Sequence, residues 1–262
     1  MVQLKSTEEI ELLRKSSLLV GKTLAEVARL IRPGVTTKTL DEMAETFIRD
    51  HQALPGFKNY RGYPATLCIS VNEQVVHGIP GDREIRDGDL VSVDCGTILN
   101  GFYGDSAYTF AVGAVSPENL ELMKVTRESL MKGIEAAFAG SRIGNIGYAV
   151  QNHVESFGFS VVRDLVGHGL GRHLHEEPQV PNYGKKGQGM KLTEGMVICI
   201  EPMINRGKRF VVQEKDGWTI RTADGLPSAH YEHTVAVMKE KADVLSTFEW
   251  IEEVKNEYIK FV

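Results

Sequence analysis

The sequence predicts an α+β fold in which one helix–helix–sheet unit occurs twice about a pseudo-twofold axis, with a central antiparallel sheet flanked by helices. Three observations predict it. Gly195-Met196-Val197-Ile198-Cys199-Ile200-Glu201-Pro202-Met203 is an unbroken apolar run that stops at an acid and then a proline, the pattern of a strand buried on both faces. Gly88-Asp89-Leu90-Val91-Ser92-Val93-Asp94 leads a second apolar strand into an acid. The segments before these strands also echo each other. Glu118-x-Leu120-Glu121-Leu122-Met123 repeats Glu8-x-Ile10-Glu11-Leu12-Leu13 roughly 110 positions later, and His168-Gly169-Leu170-Gly171 repeats the form of His77-Gly78-Ile79-Pro80. That period is too long for a solenoid. The expected organisation is one domain, 1–262, made of two related halves of about 1–112 and 113–240, with a tail over 241–262.

Each element has its own signal. Ser6-Thr7-Glu8-Glu9 is a capping box for a helix that should run to about Arg32 and stop at Pro33-Gly34. A second helix opens near Thr37 and carries Leu40, Met43, Ala44, Phe47 and Ile48 on one face. A loop with Tyr60 and Tyr63 leads to a strand from Thr66 to Val71. The first acid strand and a return strand over Gly101–Val112 follow. Ser116-Pro117 places serine at the N-cap and proline at N1 of a third helix, expected to end at Gly140-Ser141. A fourth helix spans Ile143 to Phe157. His168 opens a Gly-rich turn, and a return strand from Ala229 to Met238 pairs with the second acid strand. In the tail, Phe248, Ile251, Val254 and Tyr258 fall at helical spacing, so a short amphipathic helix should dock on the protein itself.

Composition narrows the function classes. Of 262 residues, 42% are hydrophobic and 25% charged, with a net charge of -5; this fits a globular chain and argues against a broad nucleic-acid surface. The polar N-terminus shows no signal peptide, and no apolar run is long enough for a membrane span. The three cysteines, Cys68, Cys95 and Cys199, have no Cys-x-x-Cys spacing, which points to reduced thiols and a cytoplasmic home.

The chemistry lies in the acids. Asn100-Gly101 is a strong two-residue hairpin signal. With that turn Leu99 pairs with Phe102 and Gly96 with Asp105. Asp94 then lies on the same face as Asp105, a diagonal neighbour about 7 Å away or less. Two carboxylates so placed repel unless a cation lies between them. Glu201 is the mate of Asp94, and Glu232, in Ala229-His230-Tyr231-Glu232-His233-Thr234, is the mate of Asp105 on the return strand. Four acids therefore converge at the axis, and beside them His168 is a candidate ligand. Two divalent cations neutralise four carboxylates, and an oxygen-rich set with one imidazole suits manganese, iron(II) or cobalt better than a closed thiolate zinc site. Paired ions of this kind serve hydrolysis.

These residues resemble the type I methionine aminopeptidases, in their short bacterial form. The likeness rests on His77-Gly78-Ile79-Pro80, Val93-Asp94 followed by Gly104-Asp105, Gly167-His168-Gly169-Leu170-Gly171-Arg172 with His175-Glu176-Glu177-Pro178, Glu201-Pro202-Met203, and Tyr231-Glu232-His233-Thr234. It covers almost the whole chain, to about Met238. The resemblance implies the duplicated pita-bread fold, and Asp94, Asp105, His168, Glu201 and Glu232 as ligands of two divalent ions. A hydroxide bridging the ions would attack the first peptide bond and release an N-terminal methionine ahead of a small second residue. Glu201 would carry protons, His175 would steady the tetrahedral intermediate, and His77 would approach the leaving nitrogen. Tyr60, Tyr63, Cys68 and Trp218 would form the methionine pocket, with His77 and His175 also touching substrate. Leu174 stands where a phenylalanine is common and Phe57 where some members have cysteine. Both flank the pocket. The implied partners are nascent polypeptide N-termini, with transient ribosome contact compatible with that role, and neither DNA nor membrane; a monomer is expected. The alternatives are a proline-directed peptidase of the same fold and a non-catalytic relative that binds nascent chains.

Overall fold

The computed structural model describes residues 2–259, with side chains described to residue 255. Helix α1 (Thr7–Leu30) starts on the expected capping box, in which Ser6 accepts from the Glu9 amide and the Glu9 carboxylate accepts from the Ser6 amide. Its apolar face, including Leu13, Val20, Leu24 and Val27, is fully buried. Helix α2 (Thr37–Asp50) is capped by the Thr36 hydroxyl. Strands β1 (Leu54–Pro55), β2 (Leu67–Val71) and β3 (Gln74–Val76) precede the long hairpin of β4 (Leu90–Leu99) and β5 (Phe102–Ala111). Asn100 and Gly101 both have positive φ, 54° and 77°, as a type I′ turn requires. The register is the expected one: Leu99 faces Phe102 and Gly96 faces Asp105.

Helix α3 (Pro117–Glu135) begins on the Ser116 cap. It ends before the expected Gly140. The Ala136 and Ala137 amides bond back to Gly133 and Ile134, and the Ala139 amide goes to Met238 of another segment. A tertiary hydrogen bond thus outcompetes further helix. Helix α4 (Ile143–Ser156) packs on α3. Strands β6 (Ser160–Val161), β7 (Gly167–Gly169), β8 (Glu176–Val180), β9 (Val197–Ile200), β10 (Met203–Asn205), β11 (Val211–Gln213), β12 (Ile220–Thr222), β13 (Ser228–His230), β14 (His233–Val237) and β15 (Ala242–Val244) follow, and then helix α5 (Glu249–Ile259). Phe248, Ile251 and Val254 are buried against the protein, and α5 packs on α1. The Tyr258 side chain lies outside the described residues. Among the described residues no helix is long and apolar enough to cross a membrane.

The strand pairings are antiparallel, and the chain is α+β. Strand β4 has β5 on one edge and β1 and β2 on the other. A five-stranded sheet runs β15-β14-β9-β7-β8, and smaller sheets run β13-β10-β6 and β11-β12-β3. Two expectations change here. His168 lies in strand β7, not in a turn; Gly169 pairs with Ile198 and with Glu176. Its glycines serve close packing, since a Cβ on Gly167 would collide with the Cys199 carbonyl and one on Gly169 with that of Glu177. The return strand is broken as well. Residues 231–232 interrupt it between β13 and β14, opposite the break at 201–202 between β9 and β10.

At these breaks the two hairpins are joined. The Glu232 amide donates to the Ala107 carbonyl at 3.0 Å, and the Ser106 hydroxyl donates to the Glu232 carbonyl at 2.7 Å. Thr234 donates to the Asp105 carbonyl at 2.7 Å.

Candidate metal centre and binding pocket

One cavity of about 210 Å³ opens at this junction. It is lined by every residue singled out from the sequence: Tyr60, Tyr63, Cys68, His77, Asp94, Asp105, His168, His175, Glu201, Trp218 and Glu232. Phe57 and Leu174 line it too. His173 is exposed, and its amide donates to Glu176.

The acids occupy one end. Asp105 and Glu232 are almost fully buried, at 3% and 2% exposure. Four carboxylates so close hold their charges poorly without a cation. Burial pushes Asp94 up to about 7, eased by a shared proton with Asp105 and by the Cys95 amide. Burial first, then Glu232 and Asp94, drives Asp105 well above the usual carboxylate range. Glu201 is raised by burial and then by Asp105 and Asp94, and Glu232 by burial and then by Glu201 and Asp94. His168 is pushed down to about 4 by burial, so its imidazole is neutral at pH 7 and can offer a lone pair. Its Nε2 lies 3.5 Å from Glu201 Oε1 and 3.7 Å from Asp105 Oδ2.

These residues fit a divalent ion. Asp94 Oδ1, Asp105 Oδ1 and Glu232 Oε1 are sealed from solvent without a hydrogen-bond partner, an unfavourable state that coordination would relieve. Ligand atoms of Asp105, His168, Cys199 and Glu232 lie within 4.8 Å of one another, as do those of Glu201, His230 and Glu232. The donor set is hard and mostly oxygen, as manganese, iron or cobalt prefer.

Cys199 and His230 were not among the site residues read from the sequence. Cys199 is fully buried, as a small core residue would be, but its sulfur also reaches the cluster. Each lies two residues before an acid, Glu201 or Glu232. Strand periodicity places such residues on the acid's side, so a signal was present.

The other end is aromatic. Tyr63 packs edge-on against Trp218 with centroids 5.1 Å apart, and Trp218 sits edge-on to His77 at 6.4 Å. The Tyr63 hydroxyl lies 2.9 Å from the carbonyls of Leu67 and Gly78, which orients the ring. Burial pushes the Cys68 thiol up, so it stays an uncharged, polarizable wall. The Asp216 carboxylate holds the Trp218 loop by accepting from the Trp218 and Thr219 amides. His175 joins the two ends. Its Nδ1 is 2.8 Å from the Tyr60 hydroxyl, and its ring centroid is 4.3 Å from that of His168. His77 adopts a left-handed φ of 59°, a conformation that histidine enters more readily than most residues but at some cost.

Comparison with known proteins agrees with this geometry. The sequence pattern of metallopeptidase family M24 matches residues 11–239. A methionine aminopeptidase of Clostridium perfringens is 52% identical over 94% of this chain and 99% of its own. A crystal structure of the methionine aminopeptidase from Rickettsia prowazekii superposes with a TM-score of 0.93 at 40% identity, covering 94% of this chain and 100% of that one. A prolidase from Pyrococcus furiosus shares the fold alone, with a TM-score of 0.74 at 24% identity over 94% of this chain and 66% of that one. With its buried acids, its neutral imidazole and these likenesses, the chain belongs to metallopeptidase family M24, on its methionine aminopeptidase branch.

Proposed function

We propose that this chain removes the N-terminal methionine from proteins and peptides whose second residue is small. The observation that carries the reading is one cavity lined both by the aromatic rings of Tyr60, Tyr63 and Trp218 and by four carboxylates, two of them almost fully buried, in a chain 52% identical to a methionine aminopeptidase. The proposed ligands are Asp94, Asp105, His168, Glu201 and Glu232. The charge balance of four carboxylates supports two divalent ions, and manganese, iron(II) or cobalt fits the donor set. Bound there, such ions supply Lewis-acid polarisation of the scissile carbonyl and an activated water.

The protein's own groups do the rest. Tyr60, Tyr63, Cys68, Trp218 and the flanking Phe57 and Leu174 hold the methionine side chain. With the Tyr60 hydroxyl donating to Nδ1, His175 keeps its proton on Nε2 and aims a donor at the carbonyl oxygen, where negative charge develops. Burial favours a neutral His77, suited to contact the leaving amide nitrogen. Glu201, which lines the cavity beside the other acids, is placed to carry a proton from the attacking water to the amine. A narrow exit beyond the methionine slot, where His77 and His175 line the cavity, is the steric basis for a small second residue. The two related halves, about 1–112 and 113–240, would each contribute ligands to the shared centre, while α5 of the tail packs on α1. The proposed working form is a cytoplasmic monomer acting on nascent chains, with transient contact to the ribosome.

The test is methionine release from Met-Ala-Ser and Met-Leu-Ser, with an Ala-Pro dipeptide as the proline-directed control. The protein is first stripped with a chelator and then given manganese, iron(II) or cobalt. Metal-dependent release from Met-Ala-Ser alone is expected. Cleavage of Ala-Pro in place of it would reassign the enzyme to the proline-directed peptidases. No release with any ion would leave a binding relative.

A further inference from the structure

We infer that His230 is a positioning residue for Glu201: its Nε2–H hydrogen-bonds the outer carboxylate oxygen, Oε2, when the metal centre is filled. The inference rests on the metal-dependent reading above. The two oxygens of Glu201 face two different imidazoles. Oε1 is 3.5 Å from His168 Nε2, on the ligand side, and Oε2 is 3.9 Å from His230 Nε2. His230 is 1% exposed, and its Nε2 is sealed from solvent with no partner. A buried polar group left unpaired is destabilising, so this nitrogen calls for a partner. Ligand atoms of Glu201, His230 and Glu232 lie within 4.8 Å of one another.

The surroundings hold the ring in place but leave the carboxylate adjustable. The His230 amide donates to Thr109 Oγ1 at 2.9 Å, and the Thr109 hydroxyl donates to the His230 carbonyl at 2.7 Å. Met203 faces His230 across β10 and β13. Glu201 is tied at its backbone carbonyl, which accepts from Asn182 Nδ2 at 3.0 Å. Its terminal carboxylate torsion is soft, so rotation about it can close the gap to His230. Outer partners of this kind hold ligating carboxylates at a fixed angle, and losing one typically costs about 10–100-fold in metal affinity or activity.

Three forms of the whole chain decide the matter: wild type, H230Q and H230M. Each is stripped of metal and titrated with manganese by calorimetry, and kcat and KM are measured separately on Met-Ala-Ser. H230M, which has no donor, should bind manganese about 10–100-fold more weakly and lose kcat with little change in KM. H230Q, which keeps an N–H donor, should recover most of both losses. Wild-type affinity in H230M overturns the proposal. So does a loss in H230Q as large as in H230M, which would make the imidazole itself a ligand. If H230M does not fold, ¹⁵N-labelled wild type loaded with diamagnetic zinc gives the answer without a substitution. A proton on His230 Nε2 protected from exchange is expected, and an unprotonated nitrogen there overturns the proposal. If wild type binds metal but releases no methionine, the proposed activity fails while the affinity ratio still decides the role of His230.

Discussion

The two acid pairs reach the centre by different means. Asp94 and Asp105 project from an unbroken hairpin, in which β4 and β5 stay paired from Leu90–Ala111 to Leu99–Phe102. Glu201 and Glu232 lie where the second pair of strands comes apart, with β9 on β14 before the break and β10 on β13 after it. Pro202 has no amide proton to give a ladder, and the Glu232 amide goes to Ala107 of the first hairpin instead. Regular pairing therefore suffices to bring two carboxylates together within one hairpin. Placing the other two against them requires that a ladder be given up, and its hydrogen bonds pass to the neighbouring hairpin. Ser106 and Ala107 take over both backbone groups of Glu232. These two residues follow Asp105 directly, so Asp105 and Glu232, one acid from each hairpin, are mechanically joined.

That contrast can be tested from its strongest consequence downward. Glu201→Gln removes a charge from the broken side and the group proposed to carry the proton. Its turnover on Met-Ala-Ser should fall by about 10²–10⁴-fold with the circular-dichroism spectrum unchanged. Turnover like wild type would show that the broken side only supports the site. Ser106→Ala cuts a bond between the hairpins. If that bond positions Glu232, manganese affinity measured by calorimetry should fall about 10-fold, while the β4–β5 register, read from backbone NMR contacts, stays intact. An unchanged affinity would leave the Ala107–Glu232 bond as the sufficient link.

The third test uses pH. In the metal-free protein Asp94 holds its proton up to about 7, against about 3.9 in an unfolded chain. The folded state binds that proton more tightly, so this group favours folding most below about pH 4. That contribution is lost as pH rises to about 7. Bound metal needs the carboxylate ionised and reverses the trend. The gap in Tm between loaded and stripped protein should therefore widen from about pH 4 to about pH 7; parallel curves would detach Asp94 from the metal centre. The smallest effect is expected at the turn of the unbroken hairpin. Gly101→Ala forces a side chain to φ of 77° and should cost about 1–2 kcal/mol by urea unfolding, with kcat retained because the ladder holds the register. A large loss of kcat would mean that the turn, not the ladder, sets the spacing of Asp94 and Asp105.

Much of the site could be read from residues. Asn100-Gly101 gave the hairpin its register, and the diagonal placement of Asp94 and Asp105 on one face follows from the pleat. Ser6 and Ser116 announced their helices. The aromatic slot was visible only through family likeness, because nothing local to Tyr63 or Trp218 says that their rings meet. Cys199 and His230 went unused although strand periodicity pointed to them. A buried cysteine has an adequate apolar reading, and a histidine before a tyrosine carries no motif of its own.

By itself the sequence determined where the helices start, the type I′ hairpin and the common face of Asp94 and Asp105 within it, because capping, turn geometry and apolar periodicity act over a few residues. Tertiary structure alone decided where α3 stops, that His168 lies in a strand, and that the second ladder breaks at Glu201 and Glu232. Each of these depends on a backbone hydrogen bond between distant segments: Ala139 to Met238, the pairing of Gly169 with Ile198, and Glu232 to Ala107. The competition between a local partner and a remote one is settled only when the remote segment is in place.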